Sequence, residues 1–155
     1  VPRLAPRRYL WRYDVTRTRN IARCHEEVSD PPQLKTSDAV AHAFRAVVGD
    51  PPREHCLAFY LDATNRMMGY ETVAIGGCAS VEVEPAQVFR GALLAGAVRL
   101  IVAHNHPSGD PTPSDSDIAL TRQLVKAAAM IGIPLLDHVV VAARTGHSII
   151  SDTSF

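Results

Sequence analysis

His104-Asn105-His106-Pro107-Ser108-Gly109-Asp110-Pro111-Thr112-Pro113-Ser114-Asp115-Ser116-Asp117 is the stretch on which the reading of the whole chain turns. Just ahead of it, Val98-Arg99-Leu100-Ile101-Val102-Ala103 is a short, branched and mostly apolar run, the pattern of a strand buried on both faces. Side chains on extended backbone alternate with period two, so His104 and His106 point one way at the end of that strand and Asn105 another. Two imidazoles on one side can share a cation. Asp117, eleven residues past His106 where a helical pattern begins, offers a third donor, a hard oxygen. Three protein ligands leave a fourth position open to water, which separates a catalytic zinc from a structural one.

The same residues also have ordinary structural readings. Ser114-x-x-Asp117 fits a helix cap in which the hydroxyl satisfies free amides and the acid faces the helix dipole. A His-x-His pair fits two half-buried histidines bonded to backbone. The loop chemistry suits the metal reading: Pro107, Pro111 and Pro113 restrict the connection and Gly109 permits a turn, so Asp117 returns to the histidines with less entropy to lose.

The spacing His-x-His, seven residues, Ser, two residues, Asp resembles the metal motif of the JAB/MPN (JAMM) metallopeptidases. The wording HNHPSGDPTPS, with Leu136-Asp137-His138-Val139-Val140-Val141 further on, is similar to the RadC-type branch of that family, over roughly residues 36 to 151. The resemblance implies an α/β fold, a curved mixed β-sheet flanked by helices, with one zinc held by His104, His106 and Asp117. It also implies an upstream glutamate that works through the zinc's water. The matching residue is Glu54, in Arg53-Glu54-His55-Cys56-Leu57-Ala58-Phe59-Tyr60-Leu61-Asp62; taken alone, it reads as an exposed acid beside Arg53. Ser114 inherits a place near the developing oxyanion. The implied chemistry is hydrolysis of a peptide or isopeptide bond, with a peptide or a ubiquitin-like protein as substrate.

The whole chain sets bounds. At 155 residues it is one domain's worth, long enough to bury about two thirds of its unfolded surface. Sixteen basic and sixteen acidic side chains cancel, so net charge argues for neither a nucleic-acid nor a membrane partner. The distribution is uneven: residues 1–23 hold seven arginines and one acid, Asp14. Three widely spaced cysteines, Cys24, Cys56 and Cys78, form no Cys-x-x-Cys pair and fit a reducing compartment. No apolar run approaches the ~18 residues that cross a bilayer, and no charged-then-apolar leader precedes the fold. A soluble, cytoplasmic protein is expected. The chain opens on Val1 rather than methionine, as a processed chain or a piece of a longer one does.

Residues 1–35 read as a basic arm with an edge strand and residues 36–155 as the JAB/MPN domain. In the arm, Tyr9, Trp11, Tyr13 and Val15 alternate with Arg12 and Asp14, the periodicity of an edge strand, which also offers a second copy a place to pair as a homodimer. Residues 16–35, with Arg17, Arg19 and Arg23 and ending in Pro31-Pro32, read as a linker or partly ordered arm. Thr36-Ser37-Asp38 caps a helix carrying Val40, Ala43, Phe44, Val47 and Val48, which Gly49 and Pro51-Pro52 stop. Residues 56–75 read as a hairpin about a turn at 62–66, and Cys78 to Val83 as a further short strand. Pro85 opens a helix ended by Gly96, Asp117 to Ile131 is an amphipathic helix, and Leu135 to Ala142 is a central strand. A turn at Thr145-Gly146 and a last strand near Ser148 to Ser151 close the chain.

His138, beside Asp137, reads either as a group that orients a metal ligand or as a core histidine bonded to backbone, and is left out of the metal set. His25, His42, His55 and His147 have no partner pattern, and Cys56 and Cys78 read as small apolar fillers. A second functional class competes: a nucleic-acid-associated DNA repair factor, the role attached to RadC-type names, with a structural or vestigial zinc site. Longer family members carry a helical DNA-binding region ahead of the JAB domain, and about 35 residues are too few for one. That reading rests on the basic arm, where aromatics and arginines could stack on and neutralise a single strand. A nucleobase deaminase needs His-x-Glu and Pro-Cys-x-x-Cys, and neither is present.

Overall fold

A computed structural model of the chain describes residues 9–14, 22–27, 30–76, 83–142 and 145–155. Among these residues seven strands form one mixed sheet: β1 (Tyr9–Asp14), β2 (Ala22–Glu27), β3 (His55–Leu61), β4 (Met67–Ile75), β5 (Arg99–Asn105), β6 (Leu135–Ala142) and β7 (Thr145–Ser148), in the order β2-β1-β4-β3-β5-β6-β7. β1 pairs parallel to β4 and β5 parallel to β6; the other neighbours are antiparallel. The helices are α1 (Ser37–Val48), α2 (Pro85–Ala95), α3 (Asp115–Ile131) and the single turn α4 (Ile149–Asp152). This is the helix-flanked mixed sheet that the resemblance implies.

Strand alternation sorts the core into two layers. Cys56, Ala58, Tyr60, Leu100 and Val102 face α2 and α3, packing on Val88, Phe89, Ala92, Leu120 and Leu124. Leu57, Phe59, Leu61, Ile101 and Ala103 pack on the other side with Val40, Ala43 and Phe44 of α1. The sheet is therefore covered on both faces, and β3 and β5 are buried along nearly their whole length. Because β5 continues this alternation, His104 falls on the α2–α3 face.

Local chemistry fixes most boundaries where the sequence puts them. The Thr36 hydroxyl accepts from Ala39 N to start α1, and Gly49 ends it at φ 76°. The hairpin turn is held by Asp62, whose carboxylate accepts from Thr64 N at 2.7 Å and Arg66 N at 3.0 Å. Helix α3 starts at Asp115, two residues before the expected Asp117, because Ser114 is the cap.

Three expectations are corrected: the linker over 16–35, the edge position of the strand at 9–15, and the closing strand. Residues 16–35 are not linker throughout, since 22–27 form β2 against β1; β2 is then the outer strand, and β1 lies between it and β4. The closing segment is displaced: β7 occupies Thr145–Ser148, the expected turn included. Ser148 then caps α4 by accepting from Ser151 N, while Ile149 is buried. The strand expected over Cys78 to Val83 lies outside the described residues except for Val83, which is buried and in no strand. Among the described residues, no helix is long and apolar enough to cross a membrane.

Candidate metal centre

All three expected ligands lie between the end of β5 and the first turn of α3. His104 is the penultimate residue of β5 and wholly buried; His106 follows the strand's end, its N–H donating to Val141 O at 3.2 Å. The intervening loop turns at Gly109, φ 79°, and is braced by Thr112 N donating to the Asp110 carboxylate at 2.9 Å. Ser114 then caps α3 in a reciprocal box: its hydroxyl accepts from Asp117 N at 3.2 Å while Asp117 Oδ2 accepts from Ser114 N at 2.8 Å. The ordinary reading of Ser114-x-x-Asp117 is thus real. It coexists with the other, because the box leaves Asp117 Oδ1 free to face the histidines.

Donor atoms of His104, His106 and Asp117 lie within 4.8 Å of one another, and among the described residues these three form the cluster able to hold a metal ion. His104 Nε2 is 3.0 Å from His106 Nε2 and 3.3 Å from Asp117 Oδ1; His106 Nε2 is 3.5 Å from Asp117 Oδ2.

Proton bookkeeping shows what these atoms are for. His106 Nδ1 lies 2.8 Å from the carbonyl of Asp110, which can only accept, so Nδ1 carries the proton and the neutral ring's Nε2 a lone pair. For His104 the same conclusion comes through His138. The Thr121 hydroxyl donates to Asp117 O at 2.6 Å, so its oxygen must accept from His138 Nδ1, also at 2.6 Å. Burial, seconded by the neighbouring His104, pushes the His138 pKa well below the usual histidine value, so the ring is neutral and Nε2 is an acceptor. It receives the proton of His104 Nδ1 at 3.0 Å, which leaves the lone pair of His104 on Nε2.

Two lone pairs then face each other beside a buried carboxylate. That set is repulsive by itself and complementary to a cation. Two imidazole nitrogens and a carboxylate oxygen, each imidazole with its other nitrogen bonded elsewhere, fit a divalent transition metal. The Asp117 carboxyl is suited to the task. Burial acts to raise its pKa, but a hydrogen bond and positive charge at the His104 position when no cation is bound, with the two bonds from Ser114, outweigh it and hold the group well below the usual carboxylate range. A metal cation acts in the same direction.

Glu54 and Ser114 stand differently. Glu54 immediately precedes β3, is half-buried, and is not one of the three converging donors; its carbonyl accepts from Gly76 N at 2.8 Å. The β3–β5 register ends at Cys56 opposite His104, two residues short of Glu54 on one side and of His106 on the other. The Ser114 hydroxyl donates to Asp117 Oδ2 at 2.6 Å and so touches a ligand directly. Sequence reasoning left open the role of His138, which bonds to a ligand ring, and missed Thr121 and the Asp110 carbonyl. Thr121 had a signal, being four residues past Asp117 on the same helical face.

A two-histidine, one-carboxylate cluster that could hold a metal ion, at the junction of a mixed sheet and a helix, is the arrangement of an α/β domain of the JAB type. The family model for the RadC-like JAB domain matches residues 34–154, and the chain belongs to that family. Among similar curated proteins are a UPF0758 protein of Carboxydothermus hydrogenoformans, 40% identical over 78% of this chain and 54% of its own length, and one of Desulforamulus reducens, 41% identical over 80% and 49%. A UPF0758 protein of Methanococcoides burtonii is 44% identical over 57% of this chain and 39% of its own length. The chain spans about half the length of the first two.

Proposed function

We propose that the domain is a zinc-dependent metallopeptidase or isopeptidase that hydrolyses an amide bond. The observation that carries this reading is the pair of Nε2 lone pairs, each fixed by a bond at the opposite ring nitrogen, converging with a buried carboxylate. Zinc held there supplies Lewis acidity and a water whose pKa falls to about 7. Glu54 takes the proton of the attacking water and returns it to the leaving amine, the work of a general base that becomes a general acid. Ser114 is assigned to the oxyanion: when its hydroxyl proton turns from Asp117 Oδ2 to substrate, that oxygen keeps the Ser114 backbone N–H as donor. His138 and Thr121 hold the ring of His104 in the ligating tautomer. The substrate in this reading is a peptide or a ubiquitin-like protein tail, and the cytoplasm the expected compartment.

The nucleic-acid alternative draws on the arginines of residues 1–23, which lie outside the matched 34–154, and no feature of the matched domain favours it over the hydrolytic reading.

Metal analysis of wild type, His104→Ala and Glu54→Gln, with hydrolysis of a panel of internally quenched peptides, tests the proposal. Wild type should carry one zinc per chain and cleave, His104→Ala should lose both, and Glu54→Gln should keep zinc and lose cleavage. A wild-type protein that takes up no divalent metal overturns the proposal. Loss of metal from Glu54→Gln would make that residue a ligand.

A further inference from the structure

Resting on the role proposed for Glu54, we infer that Asn105, the residue between the two histidine ligands, is a positioning residue that sets Glu54 against the metal centre. Asn105 is the last residue of β5 and is buried, and by strand alternation it points away from the donors. Its side chain reaches instead to the backbone on either side of Glu54. Oδ1 accepts from His55 N at 2.7 Å and Nδ2 donates to Arg53 O at 3.1 Å. The amide orientation follows from those partners, because a backbone N–H can only donate and a carbonyl only accept.

The physical consequence concerns the end of a ladder. Main-chain pairing between β3 and β5 stops at Cys56 and His104, so Arg53 to His55 run past the last rung. The carboxamide of Asn105 stands in for the missing peptide unit, one donor and one acceptor at the spacing of a strand. On the opposite side the carbonyl of Glu54 is taken by Gly76 N at 2.8 Å, just beyond β4. Glu54 therefore has backbone support on both sides although it lies outside the strand. A base that must stay within hydrogen-bond reach of one water gains from such support, since a displacement of ~1 Å can cost ~100-fold in rate. No shorter residue spans both bonds, and aspartate lacks the donor.

Cobalt(II)-loaded protein provides the test without a known substrate. The pH midpoint of its visible spectrum reports ionisation at the open coordination position and responds to a carboxylate beside it. Glu54→Gln should displace that midpoint. Asn105→Ala should displace it in the same direction by at least half as much, with cobalt affinity within about threefold of wild type, against the ~10–100-fold expected when a bond that orients a ligand is lost. Amide exchange at His55 should quicken in Asn105→Ala. If Asn105→Ala does not fold, Asn105→Thr is read in its place by the same criteria. An Asn105 variant with the wild-type midpoint beside a displaced Glu54→Gln overturns the inference alone. One that loses cobalt overturns it too, by showing that Asn105 holds the ligands rather than Glu54. An undisplaced Glu54→Gln overturns the role of Glu54 and the inference with it.

Discussion

Replacing His138 by leucine should weaken metal binding ~10–100-fold while leaving all three ligands in place. His138 is wholly buried, and its Nε2 is the acceptor for His104 Nδ1. Leucine fills similar space and offers no acceptor. Without metal, the His104 ring then has an escape: its proton moves to Nε2, where Asp117 Oδ1 waits at 3.3 Å. Binding a metal must reverse that, returning the proton to an Nδ1 that now faces apolar side chain. A buried, unpaired donor costs about 1–3 kcal/mol. At ~1.4 kcal/mol per factor of ten, this is ~5–150-fold in dissociation constant, overlapping the range typical of losing such a partner. Competition titration of zinc against a chromophoric chelator measures it, with circular dichroism to confirm the fold. Thr121→Val, which leaves the His138 acceptor in place and removes the hydroxyl that bonds His138 Nδ1 and Asp117 O, should show a smaller loss. A folded His138→Leu protein with the wild-type dissociation constant would refute the reasoning, and packing alone would then orient His104.

Two further predictions concern the buried polar cluster under α2. Gly91 lies where a Cβ would overlap the Tyr60 hydroxyl and the Glu71 carboxylate, which are bonded to each other at 2.8 Å. Gly91→Ala should therefore destabilise by ~1–3 kcal/mol from overpacking, after the ~1 kcal/mol helix preference of alanine is set against it. Denaturant unfolding reads this, and wild-type stability would show that the pair yields freely. Burial raises the Glu71 pKa above its ordinary 4.5, against the lowering effects of Tyr60 and Arg90. The folded state then holds its proton where the unfolded chain has lost it. That contribution is complete below 4.5 and fades as pH rises through the elevated folded value. The stability difference between wild type and Glu71→Gln should accordingly move in the variant's favour over that window, and a pH-independent difference would exclude a raised pKa.

The ligand set was legible because its two signals are local: period two at a strand's end and a capping serine three residues before an acid. Glu54 was singled out through resemblance alone, since the antiparallel pairing that brings its neighbour Cys56 opposite His104 joins segments about fifty residues apart. His138 could not be assigned for a like reason. Its bond to His104 depends on the parallel pairing of β5 and β6, and its bond to Thr121 on the packing of α3 over β6. The strand at 22–27 escaped notice because Ala-Arg-Cys-His-Glu-Glu has no apolar alternation, and pairing with β1 rather than burial pattern defines it. At the other end, Ser148 is both the last residue of β7 and the cap of α4, so the strand expected to run on to Ser151 gives way to a helical turn at the buried Ile149.

One of the donors belongs to the sheet, the second follows directly on it with its N–H bonded to Val141 O, and the third lies in the first turn of α3, so an ion at this point would rivet one layer of the molecule to the other. Escape of the ion and peeling of that first turn then become a single event. How long the cation resides should be governed less by coordination chemistry than by how often residues 107–114 let go of the strand behind them.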